Sequence, residues 1–412
     1  MRRHRGRLRL APPPADDEPH RPVVRGQPGR DSRWPERQVG RRMARRGRAG
    51  AGVVSRPQHG QRRVVVPDPA GMVSPPNPSQ GRIVFAGFAT RHQSGGVHVM
   101  TQHVRLLRES GHEAWLWLPD ADDRTDWIAR DVPMLFGATI PIGADDLLVL
   151  PETPTIQGRD PAPGARKVIF NQNHFYTFAA GTPADNFPGW EPAPALWAVS
   201  AESRDVLAAT LPGLPVSLVP NPVDGDLFAP LQTDRLRVSW FPKKRPREAS
   251  LLKRLLANDP RLTGVELVEL VQVSRAEVAA TLGSTAVFIA LGHTESFGLP
   301  VAEALASGCL VVGYDGGGGH ELFEAPGAWS VPDQRPLLIR DRVAELIHDI
   351  DDRESLRAAN RRWVLDRYTF ERTGAALEEA LSAARERPGR ASVAVHPAAW
   401  LDSLGPNFTA YA

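Results

Sequence analysis

From residue 82 onward the chain alternates short apolar runs with glycine-bearing loops and amphipathic stretches. RIVFAGF (82–88) has the length and continuous apolarity of a buried strand. The loop ATRHQSGGVHV follows, then a helix-like stretch ending at Ser110-Gly111, where glycine suits the position after a helix. HEAWLWLPD reads as the next strand. Strand, glycine loop, helix and strand make the βαβ unit of a parallel sheet. The runs DLLVLPE (146–152), KVIFNQN (167–173), LWAVS (196–200) and VSLVPNP (216–222) repeat the theme, and PNPVDGDLFAP (220–230) marks a domain edge. A second set comprises LRVSWF (236–241), GVELVEL (264–270), TAVFIAL (285–291) and CLVVGYD (309–315), with helical stretches such as SRAEVAATLG between them. TFERTGAALEEALSAARE (369–386) reads as one long helix with Leu377 and Leu381 on one face. The pattern predicts an α/β protein of two doubly wound halves, residues 81–230 and 231–368. A closing helix over 369–388 and a loosely attached tail over 389–412 follow.

Composition changes this picture only at the N-terminus. A chain of 412 residues exceeds what one hydrophobic core usually spans, which agrees with two domains. Its 42% hydrophobic and 24% charged residues are those of an ordinary globular chain, and no apolar run approaches the roughly 20 residues of a membrane helix. The opening MRRHRGRLRL is basic but lacks the apolar region of a secretory signal. Residues 1–80 hold 18 Arg and no Lys against six acids, a net +12 in a chain whose net charge is +3, so residues 81–412 carry −9. Residues 1–80, rich in Arg, Pro and Gly, read as a disordered extension. Met72 stands just before the first strand as a candidate natural start. A polyanion-binding role would rest on that extension alone, and no nucleic-acid partner is expected of the acidic remainder. The single cysteine, Cys309, cannot form an internal disulfide and fits a reducing cytosol as a buried structural thiol.

Candidate chemistry concentrates in LGHTESFGLPVAEALASG (291–308). The order is strand, loop, helix, Gly308, strand, and Pro300 suits the first turn of the helix. Glu303 is thereby expected in that first turn and Glu295 in the preceding loop, both at the carboxyl end of a parallel strand, where open α/β sheets bind ligands. Gly298 permits close backbone approach, and the helix N-terminus suits a diphosphate. The carboxylates would flank it and accept hydrogen bonds from sugar hydroxyls. Taken singly, each glutamate is as well explained by a dipole-complementing or solvated role.

Glu295 through Glu303, E-S-F-G-L-P-V-A-E, resembles the E-x7-E motif of the family 4 glycosyltransferases, retaining enzymes of the GT-B fold. SGGVHVMTQHVRLLRESGHE (94–113) is similar to that family's first glycine loop and helix. VSAESRDVL with VPNPVDGDLF (199–228) is similar to the end of its acceptor-side domain. VVGYDGGGGHELF (311–323) is similar to its glycine-rich turn, and RYTFERTGAALEEAL (367–381) to the helix that returns to the first domain. The resemblance covers roughly residues 81–388, in order. It implies two Rossmann-like domains facing across a cleft. Glu303 would hold the ribose hydroxyls of a nucleotide donor, and Glu295 the hydroxyls of the transferred sugar. The backbone of Phe297, Gly298 and Leu299 would approach sugar and phosphates, and Gly95 and Gly96 the diphosphate from across the cleft. The family's paired cations correspond to WFPKKRPRE (240–248): Lys243 aligns best with the first, Pro242 replaces a glycine, and Lys244, Arg245 or Arg247 could supply the second. His174 lies near where some members place a histidine beside the reacting sugar. Asn171, Gln172 and Asn173 compete for that alignment, and a surface position suits His174 as well.

The implied activity is transfer of a sugar from a nucleotide-diphosphate sugar to a glycan or glycolipid acceptor with retention of configuration. It needs no cofactor and no metal; the triplets Asp120–Asp122, Asp224–Asp226 and Asp349–Asp351 carry no metal-site spacing after a strand. Family habit places such an enzyme in the cytoplasm, at the inner face of the membrane, in polysaccharide or cell-envelope synthesis. Acceptor choice falls to the loops near 88–96, 120–145 and 174–195. Rivals are a sugar-nucleotide epimerase of the same fold, which needs an acid/base pair the sequence does not offer, and a non-catalytic subunit binding a sugar nucleotide. A dinucleotide oxidoreductase would need a G-x-G-x-x-G that neither SGGV nor DGGGGHE supplies.

Overall fold

The structure, a computed structural model, describes residues 64–65, 81–87, 94–121, 131–152, 159–177 and 187–398. The Arg/Pro-rich extension apart from residues 64–65, and the tail beyond residue 398, lie outside the described residues. So do parts of the three loops expected to choose the acceptor. Among the described residues no helix is long and apolar enough to cross a membrane.

The first half consists of β1 (Val64–Val65), β2 (Ile83–Ala86), α1 (Gly95–Glu109), β3 (Ala114–Leu118), β4 (Met134–Phe136), β5 (Thr139–Ile142), β6 (Leu147–Pro151), β7 (Arg166–Asn171), β8 (Ala195–Ala198), α2 (Ala201–Thr210) and β9 (Val216–Leu218). Its main sheet runs β1-β4-β3-β2-β6-β7-β8-β9, parallel except for β1, which pairs antiparallel with β4. The second half consists of β10 (Arg237–Trp240), α3 (Pro246–Ala257), β11 (Glu266–Glu269), α4 (Arg275–Gly283), β12 (Val287–Leu291), α5 (Leu299–Ala306), β13 (Leu310–Tyr314), β14 (Ala328–Ser330), α6 (Pro336–His348) and α7 (Glu354–Leu365). Its sheet is wholly parallel, in the order β11-β10-β12-β13-β14. Both orders reverse direction once, beside β2 and beside β10, and a crevice opens at the carboxyl edge of the strands at each reversal. β2, β6, β12 and β13 are buried along their whole length. Parallel strands covered on both faces are continuous apolar runs, which is why their sequences show no alternation.

α8 (Phe370–Arg385) returns to the first half and packs on α1. Leu377 and Leu381 are buried in that contact, and the His112 ring meets the Glu378 carboxylate at 2.9 Å. The outgoing and returning connections lie side by side. Val223 N–H donates to Tyr368 O (2.8 Å), and Thr373 Oγ1 donates to Pro220 O (2.9 Å).

Three expectations change. The tail read from residue 389 does not hang loose over its described part. β15 (Ser392–Val395) pairs antiparallel with β5, Ala394 is buried, and the His396 ring packs edge-on against Trp117 at 4.5 Å. Within the extension, Val64–Val65 form an edge strand. Glu303 is not in the first turn of its helix. Gly298 adopts φ 93° as the helix cap, α5 begins at Leu299, and Glu303 is the fifth helical residue.

Candidate functional site

The reversal of the second sheet places the ends of β10 and β12 side by side, and the residues that follow them meet. Lys244 Nζ lies 2.6 Å from Glu295 Oε1, an ion pair across the crevice. Arg245 is occupied elsewhere: it donates to Gly292 O (2.8 Å), pairs with Glu248 and Asp333, and stacks over Tyr314. Of the three candidates for the second cation, Arg245 thus ties the loops together and Lys244 is the one that meets Glu295. Lys243 and Arg247 are exposed. The loop bearing Glu295 is pinned to the glycine run after β13, with Glu295 N–H donating to Gly316 O (2.9 Å) and Gly318 N–H to Glu295 O (2.8 Å). Gly316 must be glycine here, since its φ is 69° and a Cβ would stand 2.7 Å from Glu295 Cγ.

α5 presents its N-terminus to the same crevice. A Cβ on Gly95, the first residue of α1, would touch Leu299 Cδ1 at 3.7 Å, so the N-termini of α1 and α5 converge from opposite halves. Two positive dipole ends with free N–H groups make an anion site. Gly96 lies against the Gln172 side chain, where a Cβ would come within 3.2 Å. Phe297 is buried against Tyr368, their rings 5.0 Å apart. Glu303 points its carboxylate to Arg275 (2.8 Å), whose guanidinium lies over the Phe228 ring. Burial raises the Glu303 carboxyl above its ordinary range, and the Arg275 charge opposes that rise only in part. His98 of α1 is held neutral nearby, down to about 4, by burial first and by the positive charge of Arg275 second.

The first half contributes the segment after β7. Asn171 turns inward and accepts from Thr177 Oγ1 (2.7 Å). Asn173 Nδ2 donates to Thr294 O (2.6 Å), and its Oδ1 caps the short turn His174–Tyr176 by accepting from Phe175 N–H. His174 is not a surface residue. It is 7% exposed, its N–H donates to Ser296 Oγ (2.7 Å), and Nδ1 lies 2.7 Å from that hydroxyl. When Ser296 accepts the backbone N–H and donates its own proton to Nδ1, the histidine carries its proton on Nε2. Burial keeps the ring below its ordinary pKa, hence neutral at pH 7. Gly317 and Gly318 make room for this contact, since a Cβ on Gly318 would stand 2.9 Å from His174 Cε1.

The structure therefore brings together Glu295, Lys244, Phe297, Gly298, Leu299, Gly95, Gly96 and His174, while Glu303 sits one helical turn behind with Arg275. Sequence reasoning missed Arg275, Ser296 and Glu152, and it named Asn173 only as a rival of His174 for one alignment. Ser296 stood inside a quoted motif, but its role depended on a contact with His174 across 122 residues. Glu152, the acid that ends the wholly apolar β6, is 4% exposed, and burial raises its carboxyl to about 7. Cys309 is buried and its thiol is pushed up to about 12 by burial, which makes it inert.

Residues 264–363 match the family model described as "Glycosyl transferases group 1". An alpha-1,6-glucosyltransferase of Actinobacillus pleuropneumoniae serotype 7 (strain AP76) is 26% identical over 243 residues, covering 57% of this chain and 72% of that protein. Among solved structures, HepE of Anabaena in complex with UDP-glucose superposes with a TM-score of 0.54 at 15% identity, over 74% of this chain and all of that one. Sucrose-phosphate synthase of Thermosynechococcus elongatus does so with a TM-score of 0.54 at 12% identity, over 74% of this chain and 98% of that one. These likenesses and the two sheet orders give one architecture: the chain has the GT-B fold, two doubly wound α/β halves joined by a helix that returns to the first.

Proposed function

We propose that the protein is a glycosyltransferase that takes a sugar from a nucleotide-diphosphate sugar and passes it to a glycan or glycolipid acceptor with retention of configuration. The observation that carries this reading is the meeting of Lys244 and Glu295 at the sheet reversal, beside two converging helix N-termini. The group 1 match over residues 264–363 and the UDP-glucose bound by the HepE neighbour support it.

The chemistry follows from the charges. The donor's diphosphate lies between the N-termini of α1 and α5, with Lys243, Lys244 and Arg247 supplying positive charge as the leaving group departs. Lys244 then leaves Glu295, whose carboxylate turns to the hydroxyls of the transferred sugar. Glu303 takes the ribose hydroxyls. His174, neutral and held by Ser296, offers an N–H toward the sugar. The leaving phosphate oxygen accepts the acceptor's proton on the face it departs from, so the new bond forms on that face and no protein base is required. Catalysis rests on positioning and on fixed charges; no metal enters the scheme.

The test is a thermal-shift panel on the full chain with UDP, GDP, ADP, dTDP and NAD, each with and without Mg²⁺. A ligand at 100 times its Kd adds about 2.7 kcal/mol of stability. One diphosphate should raise the melting temperature by several degrees without Mg²⁺, and NMR of the product should show the donor's anomeric configuration. No shift with any nucleotide would overturn the donor site, and an inverted product would overturn retention.

A further inference from the structure

Glu152 stands at the carboxyl end of β6, next to β7 in the sheet and beside the reversal at β2. Burying a carboxylate is costly unless its lone pairs are used. Here each oxygen takes one backbone N–H from the segment after β7: Gln172 N–H donates to Oε2 (3.2 Å) and Asn173 N–H to Oε1 (3.0 Å). No other common side chain of this size accepts two such donors, since glutamine would turn one NH2 against an N–H. The two residues so held lead straight into the contacts with the second half. Asn173 Nδ2 reaches Thr294 O, His174 N–H reaches Ser296 Oγ, and that hydroxyl meets His174 Nδ1. Thr294 and Ser296 flank Glu295 in the chain. A carboxylate rooted in the first sheet thus fixes, through one short loop, the neighbours of Glu295 on the second.

We propose that Glu152 is a positioning residue: it locks the 172–174 loop in the register that docks His174 on Ser296, and so sets Glu295 and His174 at the transferred sugar. The role at the sugar rests on the transferase reading, whereas the docking itself does not.

The experiment compares Glu152→Gln, Ser296→Ala and the double variant in the full chain with two readouts. The first is the titration of the His174 ring by NMR, with its resonances assigned by their loss in His174→Gln. In the wild type the buried ring should titrate below 6.5. Each single variant should bring it back toward 6.5, and the double variant should go no further. The second is UDP affinity set against UDP-glucose hydrolysis. Glu152→Gln should lower kcat at least tenfold and leave the UDP Kd within twofold, a split that mere loss of stability would not produce. Glu152→Asp keeps both oxygens and should fall between wild type and Gln; it also serves if Gln fails to fold. An unmoved His174 titration in Glu152→Gln would overturn the docking role. A moved titration with unchanged kcat would overturn the role at the sugar. A wild type that neither binds UDP nor hydrolyses UDP-glucose, yet shows the His174 shift, would sustain the docking and sink the transferase reading with UDP-glucose.

Discussion

Glu303 holds an ion pair with Arg275 and still has its carboxyl raised by burial, so its desolvation outweighs its pairing. Such a group adds little to stability, and its place behind the α5 N-terminus fits a hydrogen-bonding role toward ligand. Arg275 is one-third exposed and stacked on Phe228, so it is not stranded when its partner is removed. Glu303→Ala should therefore raise the Kd of the preferred nucleoside diphosphate about tenfold, roughly 1.4 kcal/mol, and shift the melting temperature by no more than about 2 °C. Unchanged affinity would sink the ribose assignment. The same geometry separates the cations: Arg245 fastens the β10 and β12 loops together, while Lys244 is the one already in contact with Glu295.

Elements were legible wherever burial is two-sided. β2, β6, β12 and β13 announced themselves as unbroken apolar runs because both of their faces are covered. β5 and β15 were invisible for the opposite reason: they are four-residue strands of a separate two-stranded ribbon, β5 buries only alternate positions, and it carries Pro141 within it. α8 was legible from Leu377 and Leu381, four apart, and its docking on α1 is an element-scale energy term. Leu377→Ala should cost about 2–5 kcal/mol, as for other fully buried leucines, read by urea unfolding; a loss below 1 kcal/mol would mean the helix is only loosely attached. The site was half legible. Glu295 and Gly298 followed from strand, loop and helix order, whereas the start of α5 turned on one left-handed glycine and moved Glu303 out of the first turn. Glu152 and Arg275 lay outside every motif, because their partners come from a loop and a helix that sequence order does not bring together.

At the scale of the whole molecule, four of the described histidines are buried neutral: His174 beside Ser296, His98 at about 4, His103 at about 3 among Phe85 and Phe170, and His396 at about 4. Their folded values lie below 6.5, so the unfolded chain binds the extra protons. Stability is complete above pH 6.5 and falls as pH drops toward 4, by about 1.4 kcal/mol per pH unit for each group. Glu152 runs the other way, its raised carboxyl favouring the folded chain as pH falls from 7 to 4.5, and the carboxyls of Glu303 and Glu321, also raised by burial, add to that offset. Urea midpoints from pH 6.5 to 5 should decline more in the wild type than in His103→Phe, which removes one of the buried rings; identical profiles would refute the account. The two connections between the halves have a further consequence. Chain leaving the first half near Val223 and chain coming back near Tyr368 are bonded to each other, so they bend together or not at all. On the transferase reading, the cleft then opens and closes on paired connections, so that donor and acceptor would share one setting of its width.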